Sequence, residues 1–302
     1  MAETRRGFLL GVAAYSLWGL FPLYWPLLEP AGAVEILAHR VVWSLAVMAV
    51  LVLAVRRGPQ LRRAFATPRT RALLTVAAVV IAVNWGTYIW GVNNGHVVET
   101  SLGYFINPLV TVLMGVVVLG ERLRRLQWIA LGLATVAVLG LTVEYGRPPW
   151  IALVLAFSFA TYGLAKKQAN VGAVESLTVE TAVLTPVALG YLGWLASQGS
   201  LEFGRHGTGH TLLLLGAGVV TAIPLICFGA AAIRVSLTTI GLLQYLTPTI
   251  QFALGVFVFH EPMPVLRWVG FALVWAALAL FTFETLNHHR RHLRLAAEAA
   301  AL

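Results

Sequence analysis

Two charges interrupt long apolar runs of this 302-residue chain, and they do so at equivalent places. Arg40 stands in Val34–Val55 and Glu180 in Leu177–Ala196, 140 positions apart. A guanidinium held away from water is a candidate binder of anionic groups, and a carboxylate held there is a candidate proton or cation site. Depth argues against pairing them. If the runs cross a bilayer in opposite senses, Arg40 lies about six residues from the outer end of its run, and Glu180 a few residues from the inner end of its own. At about 1.5 Å per helical residue they stand roughly 10 Å or more apart in depth. A second reading of Arg40 is a side chain that snorkels outward.

Pro108 and Pro248 repeat at the same interval. Each removes a backbone donor and frees the carbonyl four residues earlier, of Tyr104 and of Gln244. Matched interruptions of this kind point to a transporter's site, where helices bend or gate; the other reading is a static kink that serves packing. Polar stripes surround them. Tyr104, Asn107 and Thr111 share one helical face, as do Gln244, Thr247 and Gln251; Asn84, Tyr88 and Gly91 form another. In a membrane such groups bond either to a neighbouring helix or to a ligand. Trp18 and Tyr162 hold matched positions and can supply aromatic walls, and Pro22 frees the Trp18 carbonyl.

These residues need an apolar scaffold of several helices. The chain is 59% hydrophobic and 11% charged, far from the roughly 25% charge of soluble domains. Ten apolar runs can be drawn: Phe8–Leu28, Val34–Val55, Ala72–Val92, Ser101–Leu119, Leu126–Val143, Pro149–Ala165, Leu177–Ala196, Thr211–Ala232, Ser236–Phe259 and Val265–Phe283. Each can cross a bilayer core of about 30 Å if tilt and thinning are allowed. With the N-terminus inside, the inner connections hold 17 Lys and Arg and the outer ones 2, a strong orientation signal that puts both termini in the cytoplasm. The net charge of +9 therefore marks membrane orientation, not nucleic-acid binding. Arg5-Arg6 before Phe8 resembles a twin-arginine export signal, but the following run is long and holds Pro22 and Pro26, so the pair reads as an orientation signal.

The chain repeats itself. From Leu102 to Thr142, 11 of 41 positions match the residue 140 further on without a gap, among them Pro108/Pro248, Gly115/Gly255, Glu121/Glu261 and Trp128/Trp268. Gly32–Glu35 matches Gly172–Glu175, and Ser16–Gly19 meets Ala160–Gly163 with a slip of four. The fold expected is all-α and membrane-embedded: ten transmembrane helices in two five-helix repeats, residues 7–143 and 149–284, then a basic tail, 285–302. Five is odd, so the repeats must be inverted. Glu121 and Glu261 fall at helix ends, which suits a hinge or interfacial role, and His96 and Glu99 read as loop residues. Glycines 11, 19, 115, 163 and 255 are expected to serve helix packing. The tail reads as a basic helix near anionic lipid, with a metal site from His288, His289 and His292 as the alternative. The lone Cys227 excludes an internal disulfide. No nucleotide-binding motif occurs, and neither a cofactor nor a metal is expected.

Two such units resemble the paired EamA domains of the drug/metabolite transporter superfamily. The blocks from Glu35 to Ser44, Asn84-Trp85, Val92–Asn94, Ser101–Pro108, Glu121–Leu123 and Leu243-Gln244-Tyr245 resemble a narrower branch, the RarD proteins, over about Gly7 to Phe283. The resemblance implies a multi-pass protein of the bacterial inner membrane. The related small multidrug transporters couple to protons through a glutamate in the first helix; here neither first helix has an acid. The function expected is secondary-active transport of a small organic metabolite or drug by alternating access, possible coupling being to a proton or cation. The translocation candidates are Trp18, Arg40, Asn84, Tyr88, Tyr104, Asn107, Tyr162, Glu180, Gln244, Tyr245 and Gln251, with Pro108 and Pro248 as gates. The alternative is a membrane-embedded enzyme acting on lipid or isoprenoid substrates, which would need clustered acids or histidines; no H-E-x-x-H helix occurs.

Overall fold

Glycine and proline divide the apolar runs into helices. α1 (Ala2–Gly19) gives way to two short 3-10 turns, Phe21–Leu23 and Trp25–Leu28, because Pro22 and Pro26 cannot continue the α-helical ladder. α2 (Ala33–Ala54) starts after the extended Gly32, and the short polar α3 (Gly58–Ala66) leads to α4 (Pro68–Asn93). α5 (Val97–Leu119) ends on left-handed Gly120, and α6 (Arg125–Tyr145) on left-handed Gly146, where a side chain would be strained. α7 (Trp150–Ala169), α8 (Ala173–Ser197) and α9 (Gly207–Ala232) follow. α10 (Leu237–Leu243) and α11 (Leu246–Phe257) share one apolar run, and α12 (Val265–Ala300) closes the chain. This computed structural model describes residues 2–120 and 122–300, without the side chains of residues 2, 64, 65, 119, 237, 238 and 288–300. Glu121 and the tail histidines 288, 289 and 292, and with them the metal-site alternative, lie outside what is described.

Among the described residues, nine helical stretches are long and apolar enough to cross a membrane. α7 is 20 residues long, and Lys166 and Lys167 in its last turn reduce its apolar character. Helices 140 positions apart start in step: α2 and α8 at Ala33 and Ala173, α5 and α10 at Val97 and Leu237, α6 and α12 at Arg125 and Val265. The bundle has apolar side chains outward, such as Leu53 (78% exposed) and Val187 (74%), and polar ones inward, such as Asn84 (1%) and Glu180 (0%). Water would penalise that surface; lipid does not.

The packing crosses between the two halves of the sequence. α1 lies on α9 and α11, while α7 lies on α4 and α5; α2 meets α8 and α6 meets α12. Small residues permit these approaches. A Cβ on Gly218 would collide with the Trp43 backbone of α2, and one on Gly103 with Ala152 of α7. Gly11 and Gly255 pack against Leu243 and Val98 in the same manner. Gly163 does not: a Cβ there would meet nothing, so its expected packing role is corrected. The α6–α12 pair is joined near both ends. Arg267 forks onto Glu144 at 3.0 and 2.9 Å, and Arg124 reaches Glu284 at 2.6 Å.

Candidate functional site

Buried polar groups of five helices form one connected cluster, and two more helices border it. Asn84 on α4 donates to the Leu155 carbonyl and the Ser158 hydroxyl of α7, both at 3.0 Å, and accepts from Tyr104 of α5 at 3.1 Å. One turn along α4, the Tyr88 hydroxyl accepts from the Gln251 amide of α11 at 2.8 Å. The same amide nitrogen reaches the Trp18 carbonyl of α1 at 3.3 Å, the group that Pro22 frees. The Tyr15 carbonyl, one turn earlier on α1, accepts from Thr247 at 2.8 Å. The Tyr88 and Tyr104 rings meet edge to face at 5.6 Å.

Arg40 of α2 borders this cluster. It is 3% exposed and therefore does not snorkel, which corrects that reading. Its guanidinium carbon lies 3.8 Å from the Trp85 ring centre, 5.0 Å from Trp25 and 5.6 Å from Phe21. Nε donates to Thr221 of α9 at 3.0 Å; Nη1 has no partner. Aromatic faces attract a guanidinium by their quadrupole but leave its in-plane N–H groups open.

Glu180 occupies the matched position on α8 under different conditions. Lys166 of α7 approaches it to 3.3 Å, Tyr162 donates to it at 3.1 Å, and Ser176, one turn earlier, donates as well. Lys166 also donates to Tyr162 at 2.8 Å. This carboxylate is paired within its own half, and among the described residues it forms no ion pair with Arg40.

The proline positions differ. α5 runs unbroken through Pro108, whereas the equivalent run breaks at Gln244 and Tyr245, so that Pro248 sits in the first turn of α11. Asn107 keeps a buried, unpartnered Oδ1. Tyr245 contacts Thr282 at 3.4 Å on the rim of an open apolar groove between α5, α10 and α12. Trp18 packs against Tyr15 and Phe228, with ring centres 5.5 and 5.8 Å away.

At one face of the bundle the loops around Gly95, Arg147 and Pro262 enclose a recess of about 300 Å³. Glu261 caps α5 there, accepting from the N–H groups of Val97 and Val98. Burial raises its pKa above the usual carboxylate value, and those two N–H groups and Arg267 oppose the shift. Glu99, expected in a loop, lies in the first turn of α5, 1% exposed, and forks onto Arg147 at 3.2 and 2.7 Å. That bond raises the Arg147 pKa, while burial lowers that of His96.

Sequence reasoning missed Trp25, Trp85, Thr221 and Lys166. Trp85 lay in the block Asn84-Trp85, and Lys166 stands one helical turn from Tyr162, so both had a signal; the reach of Trp25 and Thr221 to Arg40 had none.

Residues 5–143 match the EamA-like transporter family. Protein RarD of Streptomyces exfoliatus is 62% identical over 99% of this chain and 95% of its own. A Bacillus subtilis protein described as uncharacterized transporter YojE is 44% identical, with 96% and 97% covered. A solved structure described only as "Crystal structure of protein" is similar in fold, with a TM-score of 0.54 at 19% identity, over 91% of this chain and 96% of that one.

Proposed function

Because the chain belongs to the RarD group of the EamA-like transporter family, and is thus a multi-pass membrane transporter, we propose that it is a secondary-active carrier of a small organic molecule. The reading has ten spans in two inverted halves, residues 7–143 and 149–284, in the bacterial inner membrane. Both termini are cytoplasmic and the Glu261 face is outside. The substrate binds where the halves meet and is exposed to each side in turn.

The observation that carries this reading is the connected cluster. α1, α2, α4 and α5 of the first half and α7, α9 and α11 of the second bring Trp18, Arg40, Asn84, Tyr88, Tyr104 and Gln251 to one region. Polar groups of this number inside a bilayer are costly unless they serve one another or a ligand, and several keep unused bonding capacity. Glu180 with Lys166 is the candidate for cation or proton coupling, and Pro248 at the α10–α11 break is the candidate hinge.

Two measurements test it. Proteoliposomes loaded with a bacterial metabolite extract should release a defined component only when the protein is present, and Gln251→Leu should lose that release. Release of nothing overturns the transport mechanism. Reporters after Leu302 and near Arg62 should read cytoplasm, and one near Arg205 the outside; a cytoplasmic result at Arg205 removes the inverted pair.

A further inference from the structure

Taking the central cluster as the substrate site, on which this step rests, we infer that Arg40 is its anion-recognising group. The transported molecule is a small organic anion: a carboxylate or phosphate beside a planar apolar part.

The first argument is charge. Arg40 is 3% exposed, and its only polar partner among the described residues is the neutral Thr221 hydroxyl. The acids nearest in sequence on α2 and its matched helix are engaged elsewhere: Glu35 accepts from the Glu202 N–H at 2.9 Å and lies 3.9 Å from His39, and Glu180 is paired with Lys166. A buried cation without a counterion is costly, and breaking such a charge's pairing leaves an uncompensated penalty. An anionic ligand removes that penalty on binding; a neutral one does not.

The second argument is donor count. Arg40 Nη1 is buried and unpartnered. Trp25, fully buried beside the guanidinium, keeps an unpartnered indole Nε1–H. The Tyr88 hydroxyl accepts from Gln251, which leaves its proton free for another acceptor. Tyr24, Tyr88 and Tyr104 all lie within electrostatic reach of Arg40. Unused donors around one fixed positive charge are the complement of an oxyanion, and charge-assisted bonds of this kind are the strong ones. Gln251, whose amide nitrogen bonds Tyr88, keeps an unpartnered Oε1 that suits an N–H or O–H adjacent to the acid.

The third argument is shape. Trp85, Trp25 and Phe21 surround the guanidinium with ring faces and edges. A planar apolar group fits such walls, and a fully hydrated polyol does not.

The test uses the full chain in phosphatidylcholine nanodiscs and equilibrium dialysis with radiolabelled phenylacetate, phenyl phosphate and the neutral phenylacetamide. At least one anion should be retained about tenfold better than the amide, and the better of the two identifies the head group. Arg40→Gln should lose that preference, and Arg40→Lys, which keeps the charge but not the fork, should retain part of it. Equal retention of anions and amide, no retention of either anion, or an unchanged preference in Arg40→Gln overturns the inference. Flux of the metabolite extract separates the two levels. Wild-type flux with Arg40→Gln at full rate removes the anion role and leaves the carrier; no flux in the wild type removes the carrier, while the dialysis still decides the anion site.

Discussion

Arg40 and Glu180 are 140 positions apart, on helices that start in step, and yet one is left open and the other is closed. Glu180 has a cation, a phenol and a hydroxyl from its own half. Arg40 has one hydroxyl and three aromatic rings. Duplication supplies equivalent backbone positions, and the side chains around each then decide whether a buried charge is paired within the protein or left open. A paired charge costs much when its partner is removed; an unpaired one costs little to remove and takes its function with it.

Lys166→Met attacks the closed side and should have the largest effect. It strands Glu180 beside two neutral donors, and unfolding in detergent should come about 3 kcal/mol easier. Lys166→Met with Glu180→Leu should recover most of the loss; if the double variant is no better than the single, the pair is not what holds these helices.

Arg40→Gln attacks the open side. Stability should stay within about 1 kcal/mol, since the lost cation–π contacts are offset by the removal of a charge from hydrocarbon. Flux should fall about tenfold, equal to about 1.4 kcal/mol. Arg40→Glu with Glu180→Arg should not restore it, because the new arginine would face Lys166. Recovery in that swap would make the two sites one.

The prolines sharpen the contrast. Pro248→Ala allows α10 and α11 to merge and should lower flux about threefold, by roughly 0.7 kcal/mol, without loss of fold. Pro108→Ala, in a helix already continuous, should change flux less. Equal effects would make the break at Gln244 incidental.

The smallest effect is at Glu261. Its folded pKa lies above the ordinary carboxylate value of 4.5, so just above that pH the folded state binds more protons than the unfolded one. Stability should therefore be highest below that point and decline as pH rises through the raised pKa. Glu261→Gln keeps an oxygen for the Val97 and Val98 N–H groups and should flatten this decline in a thermal melt series; an unchanged slope would assign it to another group.

The all-helical, membrane-type character and the 140-residue interval between helix starts were legible, because apolar runs and that interval are properties of the chain itself. The difference between Pro108 and Pro248 was not. Both remove the same donor, and whether a helix continues past the loss depends on neighbours: Gly255 of α11 presses against Val98 of α5, while α10 packs on α1 and α9. Asn84 and Tyr104 were legible as polar, but not as mutually bonded across three helices. The Arg40 cage drew on Trp25 from a 3-10 turn and Thr221 from a helix 181 residues away, and no spacing rule joins those.

The exchanged packing of first helices also has a consequence in time. α1 rests on α9 and α11, which begin about 190 and 230 residues later in synthesis. At about 5–20 residues per second, the ribosome delivers those partners roughly 10–45 s after α1 has emerged. Through that interval α1 has Tyr15 and Trp18 carbonyls without the Thr247 and Gln251 that later accept the role of donors. α1 is thus made long before its native neighbours, and until they arrive only lipid or insertion machinery can cover the face it turns to them.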